Sequence, residues 1–543
     1  MQESRRRFVK ISGAISLIPV LGIQALSENK ALAQGRARSK RAGLGSPQKK
    51  GAFEPLPPSN VDDISLAKGF QWYPLLKMGD VINAAGDKAG DCCDFIHFHP
   101  GENKDHAFLW VNHEYVIDNV LYGKRVKAED KTKEQVIEER KLVGGSYVEI
   151  RRSRANGGRW EVVANSTKAF RIDGNSQIPM VGPAGGAIVT GTMGNCGGGF
   201  TPWGSVLSGE ENVDVYYQDP AGYGWGNFFP HSKRDYGWIV EVDVQKKSAR
   251  KLTALGRFAH EGSTVVARVQ KKVVVYMGDD AKSQCLYKFV SKNVLTGNAE
   301  KDRDLLLEGD LYVANFKKGQ WILLSPENEK LKNDQKKRFV TQADICNETR
   351  EAAHLAGGTK LNRPEDVKVD PQSGEVYFTL TNNSDVGDFH GSIVYLQENA
   401  GDHTAASFTF ETYLAGGKSS GISCPDNLTF GPGRHLWVCT DISSEVMGKG
   451  SHASFVRNSC FRLENDEHGN VYARHFLQGP ADAEITGPCF SPDEKSLFLS
   501  IQHPGESSYY EGTTLTSHWP LGGSAKPLST VIVVEENKGS FSR

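Results

Sequence analysis

The residues of this chain best suited to chemistry are one cysteine set among glycines and a series of carboxylates that recur beside short apolar runs. The cysteine lies in Gly194-Asn195-Cys196-Gly197-Gly198-Gly199-Phe200-Thr201-Pro202-Trp203. Its three following glycines let neighbouring backbone come close to whatever the thiol touches. They do not make a phosphate-binding P-loop, because no Lys-Ser or Lys-Thr follows them. Glu210-Glu211-Asn212 then closes a strand-like run. Successive strand side chains face opposite ways, so only one of these glutamates can reach a shared site. Further carboxylates stand in similar settings: Glu261 after His260, the pair Asp279-Asp280, Glu365-Asp366, Asp426 before Asn427, and Glu484. Each alone reads as a surface or turn residue. Brought together they would repel unless cations neutralised them. Hard oxygen donors suit calcium, whereas a thiolate among carboxylates suits iron or another transition metal.

Strands must position these groups. Runs such as Val273–Tyr276, Leu311–Val313, Val376–Phe378, Leu436–Val438 and Leu497–Leu499 recur along the chain, bounded by Gly, Asp, Asn and Pro. Three share a preamble of a polar pair, a strand and a tight turn: Arg363–Asp370, Cys424–Phe430 and Gly487–Asp493. Each reads as a β-hairpin whose first strand opens with polar side chains. Irregular repeats of this kind point to an all-β fold, a β-propeller with first strands lining a central channel. Six blades are expected, with helical and loop insertions. Lys124 to Lys141 reads as a solvated charged insertion, and Phe339 to Ala356 as helical up to Gly357-Gly358.

Asn195-Cys196-x-Gly-Gly-x-Thr-Pro-Trp-Gly, Glu210-Glu211-Asn212, His260-Glu261, Arg363-Pro364-Glu365-Asp366, Pro425-Asp426-Asn427-Leu428 and Glu484-Ile485-Thr486-Gly487-Pro488 together resemble the motifs of the PhoX family of bacterial alkaline phosphatases. The resemblance runs from about Ile64 to about Glu506. It implies a phosphomonoesterase with a Ca2+ and Fe3+ cluster acting on small-molecule phosphate esters. Residue by residue it assigns Cys196, Glu211, Glu261 and Glu365 to the metals and Arg363 to phosphate. Asp426, Asn427, Glu484, Asp279 and Glu114 follow as weaker assignments. Two residues depart from the family pattern: Cys424 stands where a small serine-like residue is common, and Gly197 where alanine is common. On the same fold, the rival readings are a phosphodiesterase or lactonase, and a calcium-binding propeller without catalysis.

Ser4-Arg5-Arg6-Arg7-Phe8-Val9-Lys10, a broken apolar stretch to Leu26 and Ala31-Leu32-Ala33 resemble a twin-arginine export signal over residues 1–33. The stretch is too interrupted to span a bilayer. The expected location is therefore periplasmic or extracellular, with the twin-arginine machinery as an export partner. Residues 34–60, basic between Arg36 and Lys50, are expected as a flexible linker, and 61–543 as a single propeller domain. The whole chain carries a formal charge of −1, and removal of the signal leaves the remainder near −4. No global basic field exists to hold nucleic acid, and a monomer is expected. The nine cysteines include no CxxC pair, which argues against a zinc ribbon or a thioredoxin-type site. Ordinary polar packing is expected for His97, His99, His106 and His113.

Overall fold

Short β-branched and aromatic runs pair with their neighbours across tight turns. In the computed structural model, which describes residues 53–124, 126–213, 216, 223–508 and 514–537, they form a six-bladed β-propeller. Counted from the channel outward, blade one runs Cys93–Pro100, His106–His113, Gly144–Ser153 and Arg159–Val162. Blade two runs Asn195–Phe200, Ser205–Glu210, Ile239–Asp243 and Ser248–Leu252, then adds the earlier strands Gln177–Val181 and Ile188–Thr190. Blade three is His260–Val266, Lys272–Asp279, Leu286–Val294, Gly309–Asn315 and Gln320–Leu323. Blade four is Pro364–Val369, Val376–Leu380, Ser392–Glu398 and Phe408–Ala415.

Blade five is Pro425–Phe430, Leu436–Thr440, Ser459–Asn465 and Val471–Gln478, edged by Ser65–Leu66. Blade six is Ile485–Phe490, Ser496–Ile501 and Thr530–Glu536, with Phe70–Lys77 as its outer strand. Chain start and chain end therefore share the last blade, which closes the ring. The innermost strands touch in sequence, and the sixth meets the first.

Strand alternation builds the core between blades. In Lys272–Asp279, Val273, Val275 and Met277 pack against blade two, while Val274 and Tyr276 pack against blade four. Each of the six blade interfaces has such an apolar cluster, so the polar residues are left for the channel and its mouth.

The signal expected at residues 1–33 and the linker up to residue 52 lie outside the described residues. The end of the expected linker is not flexible chain. Phe53 is buried, with its ring 5.1 Å from Phe476 and 5.9 Å from Phe70, and the Leu56 amide donates to the His475 carbonyl. Its aromatic side chain finds an apolar box that composition alone did not reveal. The insertion between the second and third strands of blade one also differs from expectation. Its helix Lys133–Leu142 opens on a Thr132/Gln135 capping box, but it is not solvated throughout. Lys131 and Glu139 pair at 2.7 Å with almost no exposure, beside a cluster of Val136, Trp225 and Tyr236 over blades one and two. The second expected helical region is two helices, Gln342–Asn347 and Thr349–Ala356, the latter ending at left-handed Gly357.

Candidate metal centre

In every blade the opening of the inner strand pairs with the end of the second strand. The pairs are Cys93 with His113, Asn195 with Glu210, His260 with Asp279, Pro364 with Leu380, Pro425 with Thr440, and Ile485 with Ile501. The residue after each partner thus occupies an equivalent level of the channel. Blade by blade these are Asp94 and Glu114, Cys196 and Glu211, Glu261 and Asp280, Glu365 and Thr381, Asp426 and Asp441, Thr486 and Gln502. Eight of the twelve are carboxylates, one is the thiol and none is apolar, so the channel level is chemically specialised. The register slips within the inner hairpin of all six blades just here. Bulges of this kind re-aim side chains at strand ends and beside active sites.

The ring contains three groups of donor atoms that lie within 4.8 Å of one another: Asp94, Glu114 and Cys196; Cys196, Glu211 and Glu261; Glu261, Glu365 and Asp426. Shared members make them one continuous array. The Cys196 thiol donates to Asp94 at 3.2 Å, and the Gly197 amide donates to Glu261 at 3.0 Å. A side chain at residue 197 would begin 2.2 Å from the Gly262 nitrogen and 2.6 Å from the Glu261 carboxylate. The local glycine is thus what allows blades two and three to meet around Glu261. Thr381 donates to Glu365 at 2.8 Å, Thr486 to Asp94 at 2.5 Å, and Gln502 to both Asp94 and Glu114, at 2.7 and 2.9 Å. The uncharged ring positions therefore orient the charged ones.

Arg363 lies two residues before Glu365 in left-handed backbone, φ 53°, a region that residues other than glycine rarely enter. Its guanidinium forks onto Asp280 with two bonds of 2.7 Å and approaches Glu365 at 2.9 Å and Asp441 at 3.7 Å. The fork geometry suits a planar two-oxygen partner.

Burial and mutual repulsion act against this much negative charge. Burial first, then neighbouring carboxylates, push Glu211, Glu261, Glu365, Asp426 and Glu484 well above the carboxylate range. The same causes raise Glu114 to about 8, and burial raises Asp94 to about 6. The Cys196 thiol is also driven well up by burial and by Asp94 and Glu261. Burial likewise opposes the charge of Asp280, but Arg363 and hydrogen bonds from Glu211 and Glu365 hold it down at about 2. Bound cations reverse this balance by favouring the ionised donors. The donor chemistry therefore fits metals: an all-oxygen set at Glu261, Glu365 and Asp426, and sulfur-containing sets around Cys196.

A family model described as alkaline phosphatase PhoX matches residues 51–505. The chain belongs to the PhoX family. The structure of PhoX from Pseudomonas fluorescens in complex with vanadate, a transition state analogue, matches with a TM-score of 0.81 and 29% identity, over 90% of this chain and 98% of that one. A protein of unknown function from Dyadobacter fermentans, at TM-score 0.35 and 10% identity, covers 87% of this chain and 100% of its own. A carbohydrate-active enzyme of family AA12 from Trichoderma reesei, at TM-score 0.33 and 10% identity, covers 88% of this chain and 99% of its own. Likeness at those two levels is too low to bear on this chain. No curated protein matches it.

Of the residues that the PhoX motifs single out, the structure gathers Cys196, Glu211, Glu261, Glu365, Asp426 and Glu114 into the array, with Arg363 beside it. Glu484, two residues before its blade's ring residue Thr486, hydrogen-bonds with Asp426 and lies 3.5 Å from His503. Asn427 reaches the channel but donates its amide to Glu261 at 3.3 Å, while its oxygen accepts from the Gly487 amide at 2.9 Å. It positions a carboxylate. Asp279 is the expectation that the structure corrects. Its carboxylate turns away from the channel and is fully buried against Arg350, 2.9 Å from Nε. The next residue, Asp280, takes the ring position.

Asp94 and Asp441 were not singled out from sequence, although both sit at repeating positions once the hairpins are aligned. Asp94 follows Cys92-Cys93, a pair that drew attention to thiols instead. None of the nine cysteines is in a disulfide. Of the four histidines, His106 bonds Glu149 at 3.0 Å and His113 bonds Ser146 at 2.8 Å, whereas His97 stacks on Phe200 with 4.1 Å between centroids, and His97 Nε2 and His99 Nδ1 are buried without a hydrogen-bond partner.

Proposed function

We propose that this chain is an exported, monomeric phosphomonoesterase that holds Ca2+ and Fe3+ in the channel ring and releases phosphate from small phosphate esters. The observation that carries the reading is the array of carboxylates and one thiol with a forked arginine at its rim. The twin-arginine-like residues 1–33 support export through that machinery to the periplasm or beyond. A metal-dependent family and a relative that binds vanadate, a transition state analogue, support phosphoryl chemistry at this place.

Glu261, Glu365 and Asp426 would hold calcium, and Cys196 with Asp94, Glu114 and Glu211 would hold iron. When bound, such cations spread the phosphoryl charge and lower the pKa of an oxygen nucleophile. Asp280 occupies the Nε–Nη2 edge of Arg363, so the Nη1 end of the guanidinium would give phosphoryl oxygens charge-assisted bonds, which position as well as stabilise. Asp280 sets that guanidinium's plane through both of its bonds. Thr381, Thr486 and Gln502 keep the carboxylates from rotating, and the apolar blade interfaces shut water out from the sides. Uncatalysed monoester hydrolysis is so slow that positioning and charge stabilisation carry most of the acceleration.

The test is a panel of a monoester, a diester and a lactone, assayed with and without chelator, on wild type and Glu365→Gln. Monoester turnover that chelator and the substitution both abolish is expected. Faster diester or lactone turnover would overturn the reading, as would calcium-dependent melting with no turnover at all.

A further inference from the structure

Arg363 follows directly on a two-stranded ribbon that stands outside the six blades. Lys282–Gln284 pairs antiparallel with Leu361–Asn362, and Lys282 lies opposite Asn362. The first strand starts two residues after Asp280, and the second ends immediately before Arg363. The ribbon therefore ties together the chain segments that carry the forked pair, Asp280 and Arg363. Its register slips across Ser283, which is left-handed at φ 64°.

The connection between the second and third strands of blade four clasps both strands of this ribbon. Asn362 is only 2% exposed. Its amide donates to Asp388 at 2.8 Å, and its oxygen accepts from Asn383 at 3.2 Å. Asn383 and Asp388 are joined to each other by reciprocal backbone bonds of 2.7 and 3.1 Å, and the second Asp388 oxygen accepts from the Gly391 amide at 2.9 Å. On the other strand, Lys282 donates to Ser384 at 3.0 Å and to Asp385 at 2.9 Å.

Left-handed backbone at a residue other than glycine persists only where the surroundings over-determine it. Arg363 meets that condition from both sides. Its carbonyl accepts from the Thr381 amide at 3.1 Å, and the residue before it is held by the clasp. Cys92 and Cys424 precede the inner strands of blades one and five in the same region, at φ 41° and 52°, so the turn itself belongs to the fold. Of these three residues, Arg363 alone has a charged side chain to aim.

We propose that Asn362 is a positioning residue: through Asp388 and Asn383 it holds the turn that aims Arg363 at the phosphoryl group. The inference rests on the phosphate-binding reading of Arg363 above. It gives a part in turnover to two side chains, Asn362 and Asp388, that are not in the ring.

The test is a double-mutant cycle of Asn362→Ala and Arg363→Gln, read as kcat/KM for p-nitrophenyl phosphate with the bound metal measured on each protein. A misplacement of about 1 Å costs up to about a hundredfold. Asn362→Ala should therefore lower kcat/KM by roughly tenfold or more in wild type, and by less than about twofold in the Arg363→Gln background. A merely structural loss, including a smaller folded fraction, would cost the same factor in both backgrounds and would overturn the inference, as would no loss in wild type. If Asn362→Ala does not fold, Asp388→Ala opens the same clasp from its half-buried end and decides by the same criterion. Wild type that hydrolyses no monoester would count against the phosphatase reading instead. Calorimetry with inorganic phosphate then runs the cycle on binding. Weakening by Asn362→Ala only where Arg363 is present supports the positioning role; equal weakening in both backgrounds, or no phosphate binding, ends it.

Discussion

Glu210 and Glu211 are chemically identical neighbours with opposite surroundings, and replacing each by glutamine separates fold from site. Glu210 is fully buried, accepts from Lys251 at 2.7 Å and from the Gly237 and Trp238 amides at 2.9 and 3.1 Å, and Lys251 is equally buried. Glu210→Gln leaves that ammonium without its counter-charge, and breaking a buried pair from one side costs about 3–5 kcal/mol. Glu211 instead faces Asp280, Glu114 and Glu261, which all disfavour its charge. Glu211→Gln removes repulsion from the metal-free protein and one donor from the metal-loaded protein. Even outer partners of metal ligands are worth about tenfold to a hundredfold in affinity, so the donor itself should cost at least that. Melting by scanning fluorimetry, in chelator and then in calcium, reads both effects. Glu210→Gln should melt several degrees lower in either buffer while its metal-dependent rise persists. Glu211→Gln should melt no lower than wild type in chelator and should lose most of that rise. Full metal retention by Glu211→Gln would refute the facing assigned to these residues, as would metal loss without destabilisation in Glu210→Gln.

The same logic applies to Asp279 and Asp280, neighbours that face opposite ways. Asp280→Asn should lower kcat/KM by about a hundredfold, since two charge-assisted bonds of about 1.5–3 kcal/mol each to Arg363 are weakened, whereas Asp279→Asn should chiefly lower the melting temperature. Equal activity losses would contradict the assignment. Acid stability offers a third check. Burial holds His97 at about 3, below its ordinary 6.5, so the folded ring stays neutral while the unfolded chain takes up a proton as pH falls below 6.5. Stability is then lost between pH 6.5 and 3 with a slope of up to about 1.4 kcal/mol per pH unit. His97→Phe, which keeps the stack on Phe200, should flatten that slope in denaturant titrations at pH 7, 6 and 5, and an unchanged slope would count against it. Finally, Phe53→Ala should cost about 3–5 kcal/mol if its box is as closed as its burial indicates. A loss under about 1 kcal/mol would mean that the arm is loosely held.

Much of the channel was legible because its chemistry repeats. The strand preambles at Arg363, Cys424 and Gly487 exposed three hairpins, and the family motifs supplied Cys196, Glu211 and Glu261. What sequence could not show is how the register falls. Asp279 and Asp280 are equally acidic neighbours, and only the pairing of His260 with Asp279 decides which one points inward. Asp94 was hidden because its preamble is Cys92-Cys93 and not a proline-acid pair. Asn427 reads as a ligand in sequence, whereas in the fold its amide holds Glu261 and its oxygen accepts from the Gly487 amide. Phe53 was assigned to a linker by its Gly-, Ser- and Pro-rich neighbours, although the aromatic ring itself was the signal of docking.

Elemental analysis of the protein as exported, alongside the visible spectrum of wild type and Cys196→Ala, tests the central claim most directly. Iron and calcium should copurify with wild type, and a sulfur-to-iron absorption band should vanish in Cys196→Ala while its melting in chelator stays the same. Colourless, iron-free wild type that hydrolyses monoesters undiminished in chelator would contradict it.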